Sequence, residues 1–286
     1  MIRSVGIISK PRPEEIRGVV PPLLEWLRSR GIAVHMDQET AASIASRESA
    51  FSRAEFPADL DLVLVLGGDG TLLAAARALS GRDVPILAVN LGSLGFLTAV
   101  TLEEMYSSLE LVLSGRQEED RRRLLLVEVV RAGKTAASYP ALNDAVINKA
   151  AIARILDFEV SVNGQFVSNY KADGMIVSTP TGSTGYSLAA GGPIILPTVQ
   201  ALLITPICSH TLNHRPLVLR DEDTVEVLVH SQKEPVVLTV DGQVGMPILD
   251  QDRVVCRRSP HPIRLVRSPA KGYFEILRNK LKWGQR

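Results

Sequence analysis

Residues 60–71 read LDLVLVLGGDGT and run directly into LLAAARAL at 72–79. Apart from Asp61, the stretch from Leu60 to Leu66 is unbroken aliphatic, the pattern of a strand buried on both faces of a parallel sheet. Glycines follow at once, then a helical segment stopped by Gly81. Strand, glycine turn and helix form the repeating unit of a doubly wound α/β sheet. The flanking sequence continues it. Val5 to Ser9 reads as a strand, and Ile16, Val19, Val20, Leu23, Leu24 and Leu27 fall at helical spacing ahead of Gly31. Pro21 and Pro22 are expected to kink or restart that helix. Val84 to Asn90 reads as a further strand, and Thr101 with Glu104 forms a capping box for a helix that Gly115 closes.

Past about Leu124 the period changes. LLLVEVV, ILDFEVSV, TVEVLVH and PVVLTV have strand length and are separated by Gly, Asn and Asp, so this half is expected to be all β and sandwich-like. Asn163-Gly164 signals a type I′ hairpin, and Asp241-Gly242 a second tight turn. The expected division is an α/β domain over 1–120, a β domain over 121–267, and a tail, 268–286, that packs back on the first domain, with the charge run Glu118 to Arg123 at the seam. Within the tail, YFEILRNKLKW has the charge of a membrane-surface helix. Phe274, Leu277 and Leu281 on one face suit packing on the α/β domain better.

At 286 residues the chain is long enough for two domains, each with its own core. Hydrophobic residues make up 45% and charged residues 22%, which excludes a disordered chain. The 32 basic residues against 31 acidic ones create no overall field for nucleic acid, so an anionic ligand must be held by local groups. Cys208 and Cys256 form no metal or disulfide pattern and read as reduced core residues. The opening MIRSVGIISKPRPEE has too short an apolar stretch for a signal peptide or a membrane span, which points to a cytoplasmic protein with no membrane partner.

The sharpest chemical signal is Gly67 to Thr71, GGDGT. Glycines there allow positive φ and close backbone approach, and free amides at a helix start favour phosphate. Asp69 does not fit a plain anion cradle. A carboxylate beside a polyphosphate is repulsive unless it meets a magnesium ion or takes up a proton; the alternative is an aspartate that only forms the turn or caps the helix. A second constellation is DGMIVSTPTGSTGYSLAAGGPI, 173–194, where Ser178, Thr179, Thr181, Ser183 and Thr184 offer hydroxyls to ribose or phosphate oxygens. Gly133-Lys134-Thr135 is no P-loop, because Glu128 stands where the first glycine would have to be. No complete G-x-G-x-x-G follows a strand, which disfavours a hydride-transferring Rossmann enzyme. His210 and His214 have helical ligand spacing but no evident third partner, so they read as core or loop residues and no metal site is assigned to the protein.

Together, GGDGT, NLGSLGFLT at 90–98, ALND at 141–144, the block from Asp173 to Pro197, TPICSHTLNHRP from Thr205 and DGQ at 241–243 resemble the NAD kinase family in motif and in order. GGDGT alone is shared with phosphofructokinase-like and lipid kinases. The resemblance implies ATP-dependent phosphorylation of the adenosine-ribose 2′-hydroxyl of NAD to give NADP, with NAD in a cleft between an N-terminal α/β domain and a C-terminal β domain. It makes Asp69 the base for the 2′-hydroxyl, gives Gly70 a backbone contact, and casts Gly67, Gly68 and Thr71 as a phosphate loop. Phe96 falls where an aromatic packs near adenine, and Asn143 with Asp144 on a pair that grips adenine and ribose. Arg154 and Lys171 fall at positions that can be cationic and meet phosphates. Asp173, Thr184, Gly185, Tyr186, Ser187, Leu188, Ala189 and Gln243 align with further dinucleotide contacts.

The resemblance also implies a divalent cation, Mg2+, carried by the ATP phosphates, and self-association into a dimer or tetramer whose copies complete one another's sites. Neither nucleic acid nor membrane is implied as a partner. Gly185 and Ala189 depart from a common alanine and serine, and Asp144 from a common glutamate. One methyl contact, one hydroxyl contact and the seat of the ribose are therefore open to change, each neutral hydrogen bond being worth about 0.5–1.5 kcal/mol. Two rivals follow from the residues: a lipid kinase, from GGDGT and the basic tail, and a dinucleotide-binding regulator, from the two departures in the loop.

Overall fold

A computed structural model describes residues 2–11, 13–46, 50–149, 155–211, 213–231 and 235–284. The chain divides into two compact units, Met1–Arg121 with Ile263–Arg286, and Arg122–Pro262.

The first unit is built on one sheet in the order Ala50–Phe51, Ala33–Asp37, Ser4–Ser9, Leu62–Leu66, Pro85–Asn90, Ile263–Val266, Glu119–Arg122, with Val100–Thr101 also paired to Pro85–Asn90. The pairings from Ala50–Phe51 across to Ile263–Val266 are parallel. Leu62–Leu66 lies in the middle with every residue buried, as its unbroken aliphatic run requires. The chain returns to this sheet earlier than expected, at Ile263, because IRLV supplies a strand before the helical tail begins.

The helix Pro13–Arg28 runs through Pro21 and Pro22 without restarting. Both prolines are exposed, so the carbonyls of Arg17 and Gly18 that they leave unbonded face water. A proline in a helix interior costs about 3 kcal/mol. Ile16, Val20, Leu23 and Leu27, all 0% exposed, each contribute about 1.5–3 kcal/mol and outweigh it. The capping box at Thr101 forms in part: the Thr101 amide donates to Glu104 Oε2 at 2.8 Å, and the helix Met105–Leu113 starts just after Glu104. The tail helix, Tyr273–Leu281, keeps Leu277 and Leu281 on its inner side as expected but not Phe274. Its inner stripe runs through Tyr273, Ile276 and Leu277, with Leu281 half-buried, while Phe274 is 59% exposed. Among the described residues no helix is long and apolar enough to cross a membrane.

The second unit is a sandwich of two six-stranded antiparallel sheets. One runs Leu217–Arg220, Ala201–Ile207, Gly174–Ser178, Asp144–Lys149, Val236–Val240, Val244–Ile248; the other runs Gln165–Ala172, Leu156–Val162, Val225–His230, Arg253–Arg258, Leu125–Arg131, Lys134–Ala141. Ile147, Met175, Ile204 and Leu238 from the first meet Val127, Phe158, Val227 and Cys256 from the second in a single core. Asn163 and Gly164 have φ of 53° and 75°, the two left-handed positions of a type I′ turn. Ala132 and Gly133, at 49° and 75°, form another, which places Gly133-Lys134-Thr135 in a hairpin. Burial pushes the Cys256 thiol up to about 12. Cys208 is exposed, contrary to its reading as core: it follows the end of Ala201–Ile207 with φ 47°, where no sheet face continues to cover it.

Candidate functional site

In the first unit the glycine turn ends the central strand, and the helix Asp69–Ala78 begins on Asp69 itself, with Gly68 at the N-cap. The glycines of the turn are not used for positive φ; none of Gly67, Gly68 and Gly70 has one. Gly67 is required by space instead, since a Cβ there would collide with the Thr71 side chain. Gly70 is exposed at the helix start.

Asp69 is gripped by the loop of NLGSLGFLT. Its Oδ1 accepts the amides of Leu97 and Thr98 at 3.1 and 3.0 Å and the Thr98 hydroxyl at 2.9 Å, while Oδ2 accepts the amide of Phe96 at 2.9 Å. Gly95 makes this possible, because a Cβ on it would fall on Asp69 Oδ1 and Thr98 Oγ1. Asn90 braces the loop from the next strand: its Nδ2 donates to the Ser93 carbonyl at 2.7 Å and to Thr98 Oγ1 at 2.9 Å, and its Oδ1 accepts the Gly92 amide. Asp69 therefore shapes the backbone, as a turn-forming aspartate would. Each carboxylate oxygen has about two lone pairs, so Oδ1 is filled and Oδ2 retains room for a proton donor. Phe96 is half-buried, with Lys280 Nζ 5.6 Å from its ring centroid.

The second unit holds a cavity of about 330 Å³ lined by Asn143, Asp144, Asn148, Tyr186, Thr239 and Asp241 among others. Asp144 is buried, and its carboxyl is raised to about 7, by burial first and by the neighbouring Asp241 second. Asn143 Oδ1 is buried with no hydrogen-bond partner, a state that costs about 1–3 kcal/mol unless a ligand donor meets it. Asp241 lies in the turn after Val236–Val240. Its carboxylate accepts the amides of Leu142, Asn143 and Asp144 at 3.1, 2.8 and 3.2 Å.

The hydroxyl-rich block is mostly internal. Ser178, Thr179, Thr181 and Ser183 are buried. Thr179 Oγ1 donates to the Leu142 carbonyl at 2.6 Å and accepts the Gly182 amide, and Ser183 Oγ donates to the Pro180 carbonyl at 2.7 Å. Ser187 Oγ lies 2.9 Å from Thr205 Oγ1, and Thr184 Oγ1 donates to the Thr181 carbonyl at 3.3 Å. These bonds fold the chain into the helical turns Gly182–Thr184 and Tyr186–Ala189 beside Asn143. Gly182 is indispensable, because a Cβ on it would strike the Asn143 backbone. A methyl on Gly185 would stand 3.2 Å from the Gly182 carbonyl, 3.9 Å from Asn143 Nδ2 and 4.0 Å from Asp144 Oδ2. Tyr186 is 44% exposed, Ala189 is exposed and Leu188 half-buried. Gln243 is exposed in the Asp241-Gly242 turn.

Two other site residues lie elsewhere. Asp144 pairs with Ser178 at one end of its strand and Asn148 with Gly174 at the other, which puts Asp173 about 16 Å along the sheet from Asp144 at roughly 3.3 Å per residue. Asp173 is bonded to Lys149 at 2.7 Å. Lys171 is exposed on the other sheet and lines a separate cavity with Asp157, Glu159, His230 and Asp250. Arg154 lies outside the described residues. His214 packs on Tyr170 with ring centroids 4.2 Å apart and bonds to Ser209 Oγ, a loop role. Among the described residues no three His, Cys, Asp or Glu side chains converge as a metal cage.

The two units thus carry a parallel sheet bearing a glycine–aspartate turn and a β sandwich that holds a cavity with two carboxylates. The ATP-NAD kinase N-terminal domain matches residues 5–117 and the ATP-NAD kinase C-terminal domain residues 142–268. An NAD kinase of Solibacter usitatus is 50% identical over 286 residues, 100% of this chain and 99% of that protein; one of Koribacter versatilis is 49% identical over 288 residues, with 100% of each covered. A crystal structure of yeast NADH kinase complexed with NADH superposes with a TM-score of 0.87 at 26% identity, covering 100% of this chain and 89% of that one. An NAD kinase from Archaeoglobus fulgidus in complex with ATP gives 0.77 at 24% identity over 98% of each chain, a likeness of fold. The chain belongs to the NAD kinase family.

Proposed function

We propose that the protein transfers the γ-phosphoryl group of ATP in line to the adenosine-ribose 2′-hydroxyl of NAD, giving NADP and ADP. The bond from the γ-phosphorus to the bridging oxygen breaks as the bond to the 2′-oxygen forms, and the hydroxyl proton passes to Asp69. Oδ2 is the oxygen assigned to this step, since it carries one hydrogen bond where Oδ1 carries three. Asn143 and Asp144 hold adenine and ribose, with the unpartnered Asn143 Oδ1 available to a base amino group. Phe96 and Tyr186 supply aromatic faces, Gly70 and the segment from Thr184 to Ala189 backbone contacts, and Gln243 a further polar contact. Gly67, Gly68 and Thr71 shape the phosphate turn.

Mg2+ bound on the ATP phosphates would neutralise charge on the transferring group. Lys171 and Asp173, remote from Asp144 on their own chain, are assigned to the site of a second copy in a dimer or tetramer, and Arg154 is given the same duty from its alignment. The protein is placed in the cytoplasm.

The observation that carries this reading is the full-length match to curated NAD kinases at about half identity, with both family halves in order. Purified protein incubated with Mg-ATP and NAD should form NADP, read by an NADP-specific dehydrogenase. Saturable NAD binding without NADP at any Mg-ATP concentration would favour the regulator reading instead. Phosphorylation of lipid in vesicles would favour the lipid kinase.

A further inference from the structure

We propose that Asp241 is a positioning residue for the NAD site: its carboxylate holds the backbone of Leu142 to Asp144 in place, and its charge governs when Asp144 can accept the ribose hydroxyls. This rests on reading the cavity as the adenosine end of the NAD site.

The geometry carries the first half. One carboxylate takes three consecutive amides, 142 to 144, from a position 97–99 residues away in sequence. The Asp241 amide in turn donates to the Asp144 carbonyl at 3.0 Å, so the two segments are tied in both directions. The turn that presents Asp241 has φ of 51° at Asp241 and 66° at Gly242, and the Gln243 amide closes it on the Val240 carbonyl at 3.0 Å. Charge-assisted bonds of this kind are about twice as strong as neutral ones. They fix where the Asn143 and Asp144 side chains leave the backbone.

The second half follows from what shares the cavity. Its titratable lining groups are Asp144 on the strand Asp144–Lys149, Asp241 on the turn after Val236–Val240, and Tyr186 on the short helix; the facing strand Gly174–Ser178 presents Ser178 opposite Asp144. Two carboxylates in one buried space resist joint ionisation. Asp241 turns its carboxylate to three amides, and beside it the buried carboxyl of Asp144 is the one raised, to about 7. Ribose hydroxyls donate to an ionised Asp144, which makes NAD binding strengthen as pH rises through its titration.

The test has two readouts. Carboxyl carbon-13 NMR of the full-length protein without nucleotide follows Asp144 directly, and the dependence of KM for NAD on pH follows it in turnover. Wild type should titrate Asp144 near 7, with KM for NAD falling over the same range. Asp241→Asn should move both midpoints down by about one pH unit or more and raise KM for NAD about ten-fold at pH 8, with kcat changed less than about three-fold. Should that variant fail to fold, Asp241→Glu retains the charge and should leave the Asp144 midpoint high while still raising KM. An Asp144 titration in the ordinary carboxylate range in wild type, or a variant whose KM rises equally at every pH with the midpoint unmoved, overturns the proposal. If wild type titrates as expected yet neither binds NAD nor forms NADP, the functional reading fails while the carboxylate pair stands.

Discussion

The two acidic centres of this protein are made from the same side chain and treated in opposite ways. In the α/β unit, Asp69 is met by donors: three amides and a hydroxyl from a loop that Gly95 allows to close around it. In the β unit, Asp144 is met by burial and by another carboxylate, and its carboxyl rises to about 7. A carboxylate surrounded by donors is held in one place and shape; one beside a second carboxylate is held in readiness for a ligand that brings donors. Fixed geometry suits a group that must take a proton in flight, whereas an unsatisfied acceptor suits a group that must bind.

That contrast breaks most sharply at Asp69. Asp69→Asn should lower turnover by about 10²–10⁴-fold, the usual worth of a general base, in the steady-state NADP assay. Asp144→Asn should raise KM for NAD about ten-fold or more, since a charged acceptor for the ribose hydroxyls is lost, and leave turnover at saturating NAD within a few-fold. The same variant tests the electrostatics. With a folded value near 7 against an ordinary 3.8, Asp144 favours the folded state fully below about pH 4, and that contribution is lost as pH rises through about 7. Asp144→Asn should therefore flatten the fall in stability between those limits and melt above wild type at pH 8 in thermal unfolding.

Gly95→Ala sharpens the comparison from the loop side. Its methyl would displace the loop from Asp69, so urea unfolding should show a loss of about 1–3 kcal/mol, as overpacking does, accompanied by reduced turnover. The smallest effect belongs to Gly185→Ala, which installs the common family residue. Its methyl would lie 3.2 Å from the Gly182 carbonyl and at ordinary contact with Asn143 and Asp144. KM for NAD should change by less than about three-fold, because a shift of a few tenths of an ångström at an exposed turn is easily absorbed.

Much of the scaffold was legible because local pattern decides it. The aliphatic run at 62–66 and the Asn163-Gly164 dipeptide each carry their own structure, and both formed as expected. The Asn143-Asp144 pair and Tyr186 were singled out and do line one cavity. What sequence could not show is who satisfies whom. The donors to Asp69 stand 27–29 residues away, and the amides that Asp241 gathers 97–99 away. Nothing in a hydroxyl-rich string distinguishes hydroxyls that bond to their own loop, as Thr179 and Ser183 do, from hydroxyls left for a ligand. Asp241 carries no local sign of its part, since Asp-Gly forms turns everywhere. On the tail helix the departure is Phe274 alone: Phe274 and Ile276 are both large and apolar, and only tertiary contact chooses between them.

Calorimetric titration of NAD into the two aspartate variants compares the centres most directly. Asp69→Asn should bind NAD with a dissociation constant within a few-fold of wild type although it makes little NADP, and Asp144→Asn should bind it at least about ten-fold more weakly. The reverse pattern, binding lost with Asp69 and kept without Asp144, would contradict the division of labour between them.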